Sequence, residues 1–424
     1  MNVKRLKGTQ DILPDMAGLW QYIEETSRRV FSLYGYREIR TPIIEEAGLF
    51  TRSVGKETDI VKKQMYSFKD QGERDISLRP EETASVARAY IENNLGSTDG
   101  FVKFYYIGPM FRSERPQAGR FRQFNQIGVE AIGSYSPYLD AEIIILLNNL
   151  LKSLGITGYA FMVNSLGCKK DKSNKESALR KGLRGNLGLL CKDCQRRYKT
   201  NILRILDCKH INCKRAAGSV LTETGLCKDC DKRFVLLQDI LRSNQVNFVV
   251  TPTLVRGLDY YTGIVFEVKA DNLGAQDAIA AGGRYDNLIL ELGAKPQGAT
   301  GFAIGVERVI QSLSENEAFK ADGKGVLLFI ATIGEEAYKK GFSILSTLRS
   351  EGIASDIDYQ QKSLKAQMRY ANKVKAEYVL VLGENELKER KVFLRNMNNA
   401  SQKEIGLDSL VEEVKKLRIK DLTA

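Results

Sequence analysis

Apolar residues recur at helical spacing from Trp20 to Tyr34, where Trp20, Ile23, Val30, Phe31 and Tyr34 form one stripe and Gly35 supplies a stop. The next segment, Tyr36-Arg-Glu-Ile-Arg-Thr-Pro42-Ile-Ile, reads as extended, with Pro42 suited to a strand edge rather than a central ladder. Between Phe101 and Gly133 two strand-like runs flank a polar loop, Ser113-Glu-Arg-Pro-Gln-Ala-Gly-Arg120, whose Pro and Gly mark a long hairpin connection. Strand patterns resume after Val249 through Val268, followed by the Gly-rich turn Ala281-Gly-Gly-Arg-Tyr-Asp286 and the run Gly301 to Leu313. A polar linker is expected from Ser314 to Gly325. Beyond it, strands at Val326 to Thr332, Ala354 to Tyr359 and Tyr378 to Leu382 alternate with helices at Glu335 to Leu348 and Leu364 to Val374, the pattern of a small α/β domain.

At 424 residues the chain is expected to hold two or three domains. Hydrophobic residues at 43% and charged residues at 27% exclude a disordered or low-complexity class. Met1 to Pro14 lacks the apolar core of a secretory signal, and the longest apolar stretches fall short of the roughly 20 residues that span a bilayer, so a cytoplasmic protein without a membrane is expected. Lys plus Arg number 64 against 52 acidic residues, a net +12, which suits a nucleic acid partner but equally a solvated basic surface. There is one histidine, His210, which removes the material for Ser–His or Cys–His nucleophilic catalysis. Chemistry here must rest on Arg, Glu, Gln and Tyr.

The second hairpin run, Phe124 to Ala131, alternates between an apolar face of Ile127, Val129 and Ala131 and a polar one of Gln126, Gly128 and Glu130. That polar face is either a solvated outer surface or a ligand site with a glycine where something approaches closely. The neighbouring run favours the site, because it ends in Arg112 before a loop carrying Arg115, Arg120 and Arg122, and guanidiniums fork onto phosphate. Upstream, Leu78-Arg-Pro-Glu81-Glu-Thr83 offers a carboxylate for an ammonium group and a hydroxyl, or simply an acidic helix start. Downstream, Leu254 to Gly263 holds Arg256 with the pair Tyr260 and Tyr261, which also fits one core and one surface residue. Thr300 to Arg308 sets Gly301 and Gly305 in a strand and Arg308 at a helix start, where glycine admits a flat ring and arginine meets a polyphosphate. Neither a P-loop nor a dinucleotide fingerprint is present, so a bound ATP must be held by arginines.

In this order the segments resemble the histidyl-tRNA synthetase family of class II across nearly the whole chain. The likeness starts at Lys7 to Pro14 and Gly35 to Glu45, continues in Phe111 to Phe124 and Gly301 to Arg308, and includes two signatures of the histidine enzymes at Leu254 to Tyr261 and Ala281 to Asp286. The resemblance implies an α+β fold with a six-stranded antiparallel catalytic sheet flanked by helices, an inserted domain, a C-terminal α/β anticodon-binding domain, and a homodimer. The boundaries it suggests are 1–165 and 246–320 for the catalytic domain, 166–245 for the insertion and 326–424 for the anticodon domain. It implies ATP with Mg2+, L-histidine and tRNA(His) as substrates. Glu81, Thr83 and Gln126 would hold the α-amino group, and Glu130 and Tyr261, with Tyr260 beside them, the imidazole. Arg112 and Arg256 would act on the α-phosphate, Arg308 on the γ-phosphate, Glu114 and Phe124 near the adenosine, and Gln117 and Arg120 on the tRNA acceptor end. A non-catalytic regulatory subunit of histidine biosynthesis is the alternative, but such subunits erode the adenylate-forming residues. Glu82 departs from the small or apolar residue of many relatives.

Residues 166 to 235 hold all seven cysteines, six of them as Cys191-x2-Cys194, Cys208-x4-Cys213 and Cys227-x2-Cys230. Paired knuckles suggest one structural zinc on Cys191, Cys194, Cys227 and Cys230, with Cys208, His210 and Cys213 able to replace one knuckle, and ordinary thiols as the alternative.

Overall fold

In the computed structural model the stripe from Trp20 becomes the helix Pro14–Leu33, which buries Trp20, Ile23, Val30 and Phe31, and Gly35 turns the chain in the left-handed region at φ +76°. Residues 3–117, 119–221, 225–270, 278–314 and 325–423 are described; most of the expected linker, 315–324, lies outside them. The extended segment after Gly35 is not one strand. Arg37–Glu38 pairs with Phe104 and Tyr105 in one sheet, while Ile44–Glu46 joins Asp75–Leu78 and Tyr66–Lys69 in a separate three-stranded sheet. Pro42 sits at the break, where its missing N–H cannot serve a ladder.

Contacts divide the chain into two units, Met1–Ala321 and Asp322–Ala424. The first is built on an eight-stranded sheet. Its six central strands, Val102–Phe111, Gln123–Ile132, Ala299–Gly305, Ala278–Arg284, Thr262–Ala270 and Tyr159–Ser165, are neighbours in that order and all antiparallel. Arg37–Glu38 and Phe248–Val250 add one short parallel strand at each edge. The parallel edge pair of Tyr159–Ser165 and Phe248–Val250 requires a crossover, and the Cys-rich segment is that crossover. It is helical, with Lys169–Leu183, Lys192–Thr200, Ile211–Leu221 and Lys228–Ser243.

One face of the sheet packs Ile127, Val129 and Ala131 against Phe31, Leu147 and Leu150. The other face joins Tyr106, Tyr261 and Tyr285 to Val86 and Tyr90, and to Leu179, Leu183 and Cys194 of the crossover. The second unit has its own sheet, ordered Ser355–Ile357, Leu328–Thr332, Tyr378–Leu382, Lys391–Asn396 and Gln402–Gly406, parallel in its first three strands and antiparallel in the rest. The buried Gln367 stitches helix Leu364–Lys373 to this sheet, accepting from the Thr332 N–H at 2.9 Å and donating to the Thr332 carbonyl at 2.8 Å. No helix among the described residues is long and apolar enough to cross a membrane.

Candidate active site

Strand Gln123–Ile132 lies between Val102–Phe111 and Ala299–Gly305. Its register sets Glu130 between Phe104 and Gly301, Gly128 between Tyr106 and Ala303, and Gln126 between Gly108 and Gly305. The polar face is turned inward rather than onto an outer surface: Gln126 and Glu130 line a cavity of about 120 Å³ together with Glu81, Thr83, Tyr106, Tyr260, Tyr261 and Tyr285. Small residues keep it open. A Cβ on Gly301 would run into the Glu130 carboxylate and the Val129 carbonyl, so the position beside Glu130 admits no side chain.

Glu130 is 1% exposed and accepts hydrogen bonds from the Thr83 hydroxyl at 2.7 Å and from the Tyr285 hydroxyl. Burial pushes its carboxyl up to about 8, with the neighbouring carboxylates of Glu81 and Glu82 adding to the rise and the two hydroxyls opposing it. Glu81 precedes helix Thr83–Glu92 and accepts the N–H groups of Thr83 at 2.9 Å and Ala84 at 3.0 Å, so it caps the helix and faces the cavity at once. Burial raises its pKa as well. Gln126 Oε1 is buried without a hydrogen-bond partner among the described residues, an acceptor kept for something that is not protein. Tyr260 and Tyr261 lie with ring centroids 4.7 Å apart, and the Tyr260 hydroxyl donates to Glu81 at 3.4 Å.

A larger cleft of about 390 Å³ adjoins this cavity and shares Arg112, Gln126 and Arg256 with it. Arg308, Glu114, Phe124 and Arg120 also line it. The Arg112 Nε donates to the Pro80 carbonyl at 2.8 Å, and the guanidinium lies 5.2 Å from the Phe124 ring centroid. Arg256 pairs with Glu267; burial lowers its pKa, but Glu267 together with Tyr261 and Asp207 outweighs it, and the net direction is upward. Burial lowers Arg112 and Arg308 from the ordinary guanidinium value, and Arg120 adds to the lowering of both. Guanidiniums crowded around a cleft make a ready anion site.

Thr83 donates its hydroxyl hydrogen to Glu130, which leaves its oxygen lone pairs able to accept from an ammonium group. Arg120, expected on tRNA, pairs with Glu114 at 3.0 Å and lines the larger cleft. Gln117 exchanges backbone hydrogen bonds with Arg120 across the loop tip at 3.2 and 2.9 Å; Ala118 between them lies outside the described residues. Tyr106 and Tyr285 are the polar lining residues that sequence reasoning missed. Tyr106 had a signal in its alternation with Gly108 and Arg112, and Tyr285 in the Gly-rich turn already singled out. Glu82 is buried but not stranded, because it accepts from Arg79 at 2.8 Å and from Thr41 at 2.6 Å.

The two Cys-x2-Cys knuckles do not form one cluster, which corrects the four-cysteine zinc set. Cys191 and Cys194 lie with Cys208 and Cys213, whereas Cys227 and Cys230 lie with Cys168 and Asp171. Each knuckle heads its own helix and meets different partners: the Cys191 N–H points at Cys213 Sγ, whereas the Cys227 N–H donates to the Asp171 carboxylate at the start of helix Lys169–Leu183. His210 is exposed and belongs to neither set.

The histidyl-tRNA synthetase family model matches residues 8–309, and an anticodon binding domain matches residues 327–417. The chain is 46% identical to a protein named histidine--tRNA ligase from Halothermothrix orenii, over 98% of this chain and all of that protein. It is 47% identical to a protein of the same name from Desulfitobacterium hafniense, over 98% of each. The crystal structure of apo histidyl-tRNA synthetase from Staphylococcus aureus superposes with a TM-score of 0.82 at 35% identity, covering 98% of this chain and all of that one. With the match spanning both the glycine-floored cavity and the arginine-lined cleft, the chain belongs to the histidyl-tRNA synthetase family.

Proposed function

We propose that this chain is a histidine–tRNA ligase, which joins L-histidine to tRNA(His) with ATP, carried with Mg2+, through a histidyl-adenylate. The observation that carries the reading is the position of Arg112 and Arg256, shared between the small cavity holding Glu130 and the larger cleft holding Arg308. In the first step a histidine carboxylate oxygen attacks the α-phosphorus, the bond to the bridging oxygen breaks and diphosphate leaves. Arg112 and Arg256 stabilise the charge that builds on the α-phosphoryl oxygens, Arg308 holds the γ-phosphate, and Phe124 and Glu114 face the adenosine. In the second step a ribose hydroxyl of the tRNA end attacks the histidyl carbonyl and AMP leaves.

Gln126 Oε1, Glu81 and the Thr83 oxygen receive the α-ammonium group, and Glu130 with Tyr261, flanked by Tyr260, pairs the two imidazole nitrogens. A site that needs both nitrogens leaves buried polar groups unpaired with any isostere lacking one, and such sites discriminate by roughly 10⁴ or more. Thr83 also positions Glu130 through its hydroxyl hydrogen, and Gln117 and Arg120 meet the acceptor end.

The reading includes cytoplasmic location and a homodimer, supported by exposed Ile43, Ile44 and Phe68 around the three-stranded sheet. It also assigns residues 1–165 and 246–320 to the catalytic domain, 166–245 to an insertion that holds structural zinc, and 326–424 to anticodon binding. The regulatory-subunit alternative is disfavoured, because Arg112, Arg256 and Arg308 are all retained and an anticodon binding domain matches residues 327–417. Exchange of labelled diphosphate into ATP, without tRNA, tests the first step: it should depend on histidine among the amino acids, and absence of exchange from folded protein with any amino acid would contradict the reading.

A further inference from the structure

Three helices of the crossover begin on one pattern. Cys168, Cys191 and Cys227 each stand immediately before a helix, and three residues on come Asp171, Cys194 and Cys230. The sequence shows the last two as Cys-x2-Cys knuckles and hides the first, because its second member is an aspartate.

The sulfurs of Cys191, Cys194, Cys208 and Cys213 all lie within 4.8 Å of one another, and the ligand atoms of Cys168, Asp171, Cys227 and Cys230 form a second such group. None of these cysteines is in a disulfide. Four sulfurs at about 2.3 Å from a tetrahedral zinc stand about 3.8 Å apart along each edge. Cys191 Sγ and Cys208 Sγ are 3.8 Å apart. Backbone donors are aimed at the same sulfurs: the Cys191 N–H at Cys213 Sγ, 3.3 Å, and the His210 N–H at Cys208 Sγ, 3.4 Å. In the second group the Asp171 carboxylate accepts from the Cys168 N–H at 3.2 Å and the Cys227 N–H at 3.0 Å, which ties the starts of two helices together. Cysteines that served only as small apolar residues would have no reason to converge their sulfurs on one point.

We propose that the chain binds two structural zinc ions, one on Cys191, Cys194, Cys208 and Cys213, the other on Cys168, Asp171, Cys227 and Cys230. Each centre holds a segment of the active site. Cys168 follows Leu166 and Gly167, which exchange backbone hydrogen bonds with Gly263 at 2.6 and 3.2 Å, two residues from Tyr261. Cys208 follows Asp207, which lines the larger cleft, and Arg204 on the same turn donates to the Gly257 carbonyl at 3.0 Å, next to Arg256. The metals therefore brace the loop Leu254–Tyr261 from both ends.

The test is the metal content of the purified full-length protein, counted independently of activity. Two zinc ions per chain are expected, one in Cys208→Ser, one in Cys168→Ser and none in the double variant. One zinc per chain that both serine variants leave in place, as a single centre of the two knuckles would give, overturns the proposal, as does metal-free protein or iron in place of zinc. Cobalt(II) substitution of the wild-type chain supplies a reading that does not depend on variants folding. Two cobalt ions per chain with intense tetrahedral bands and thiolate charge transfer are expected, and one ion, or weak octahedral bands, overturns it.

Discussion

Thr83 donates its hydroxyl hydrogen to Glu130 at 2.7 Å, bringing the start of a helix onto the middle of the catalytic sheet. That bond leaves Glu130 doubly hydrogen-bonded yet still buried, and burial dominates, with Glu130 raised to about 8 and Glu82 to about 7. Both folded values exceed the ordinary carboxyl value of 4.5, so in this window the folded chain holds protons that the unfolded chain has lost. Stability of the substrate-free protein is therefore greatest below the unfolded value and falls as pH rises toward about 8. Urea midpoints measured across this range should decline in the wild type and decline less steeply in Glu130→Gln. Equal slopes in the two proteins would refute the assignment.

Arg256→Ala should lower the rate of histidine-dependent diphosphate exchange by about 10²–10³, with a smaller change in the KM for histidine, because the guanidinium acts on charge that develops in the transition state. Arg256→Lys should not restore the rate, since an ammonium cannot fork onto two oxygens. A variant with normal kcat and a raised KM would move Arg256 from catalysis to ground-state binding.

Gln126 Oε1, buried with no partner among the described residues, should contribute only when the α-ammonium group arrives. Gln126→Leu is expected to raise the KM for histidine by about 10- to 100-fold, the equivalent of one hydrogen bond to a charged group. Thermal stability should change little. An unchanged KM would show that the ammonium group binds elsewhere.

Arg79 and Glu82 form a buried pair at 2.8 Å, with side-chain exposures of 6% and 1%. Arg79 also donates to the carbonyls of Pro109 and Thr41, so it ties the first hairpin strand to the segment before Pro42. Glu82→Ala leaves a buried guanidinium uncompensated and should cost about 3–5 kcal/mol in denaturant unfolding. Arg79→Met combined with Glu82→Leu should recover most of that loss. A loss below about 1 kcal/mol in the single variant would mean that water reaches the pair.

Much of this site was legible in the alternation of one strand. Gln126, Gly128 and Glu130 face one way because side chains in a strand do, and the arginines ending the neighbouring strand marked that way as the ligand side. What alternation could not tell was which distant groups complete the face. The Tyr285 hydroxyl reaches Glu130 only through pairing of Ala278–Arg284 with Ala299–Gly305, and Thr83 only through the turn at Pro80. The cysteines failed for a related reason: the Cys-x2-Cys spacing suggested that knuckle pairs with knuckle, but the second knuckle meets Cys168 and Asp171, a pair that a cysteine pattern does not show. The last hairpin, Lys391–Asn396 with Gln402–Gly406, gave no strand signal, because its second strand exposes Gln402, Lys403 and Glu404 at an edge. An edge strand needs little apolar surface of its own.

The central claim is that this chain ligates histidine to tRNA(His), and charging of unfractionated tRNA tests it most directly. Offered each labelled amino acid in turn with ATP and Mg2+, the protein should attach histidine alone, to one tRNA species, with release of AMP and diphosphate. Attachment of a different amino acid, or no attachment by a folded protein that still binds tRNA, would contradict it.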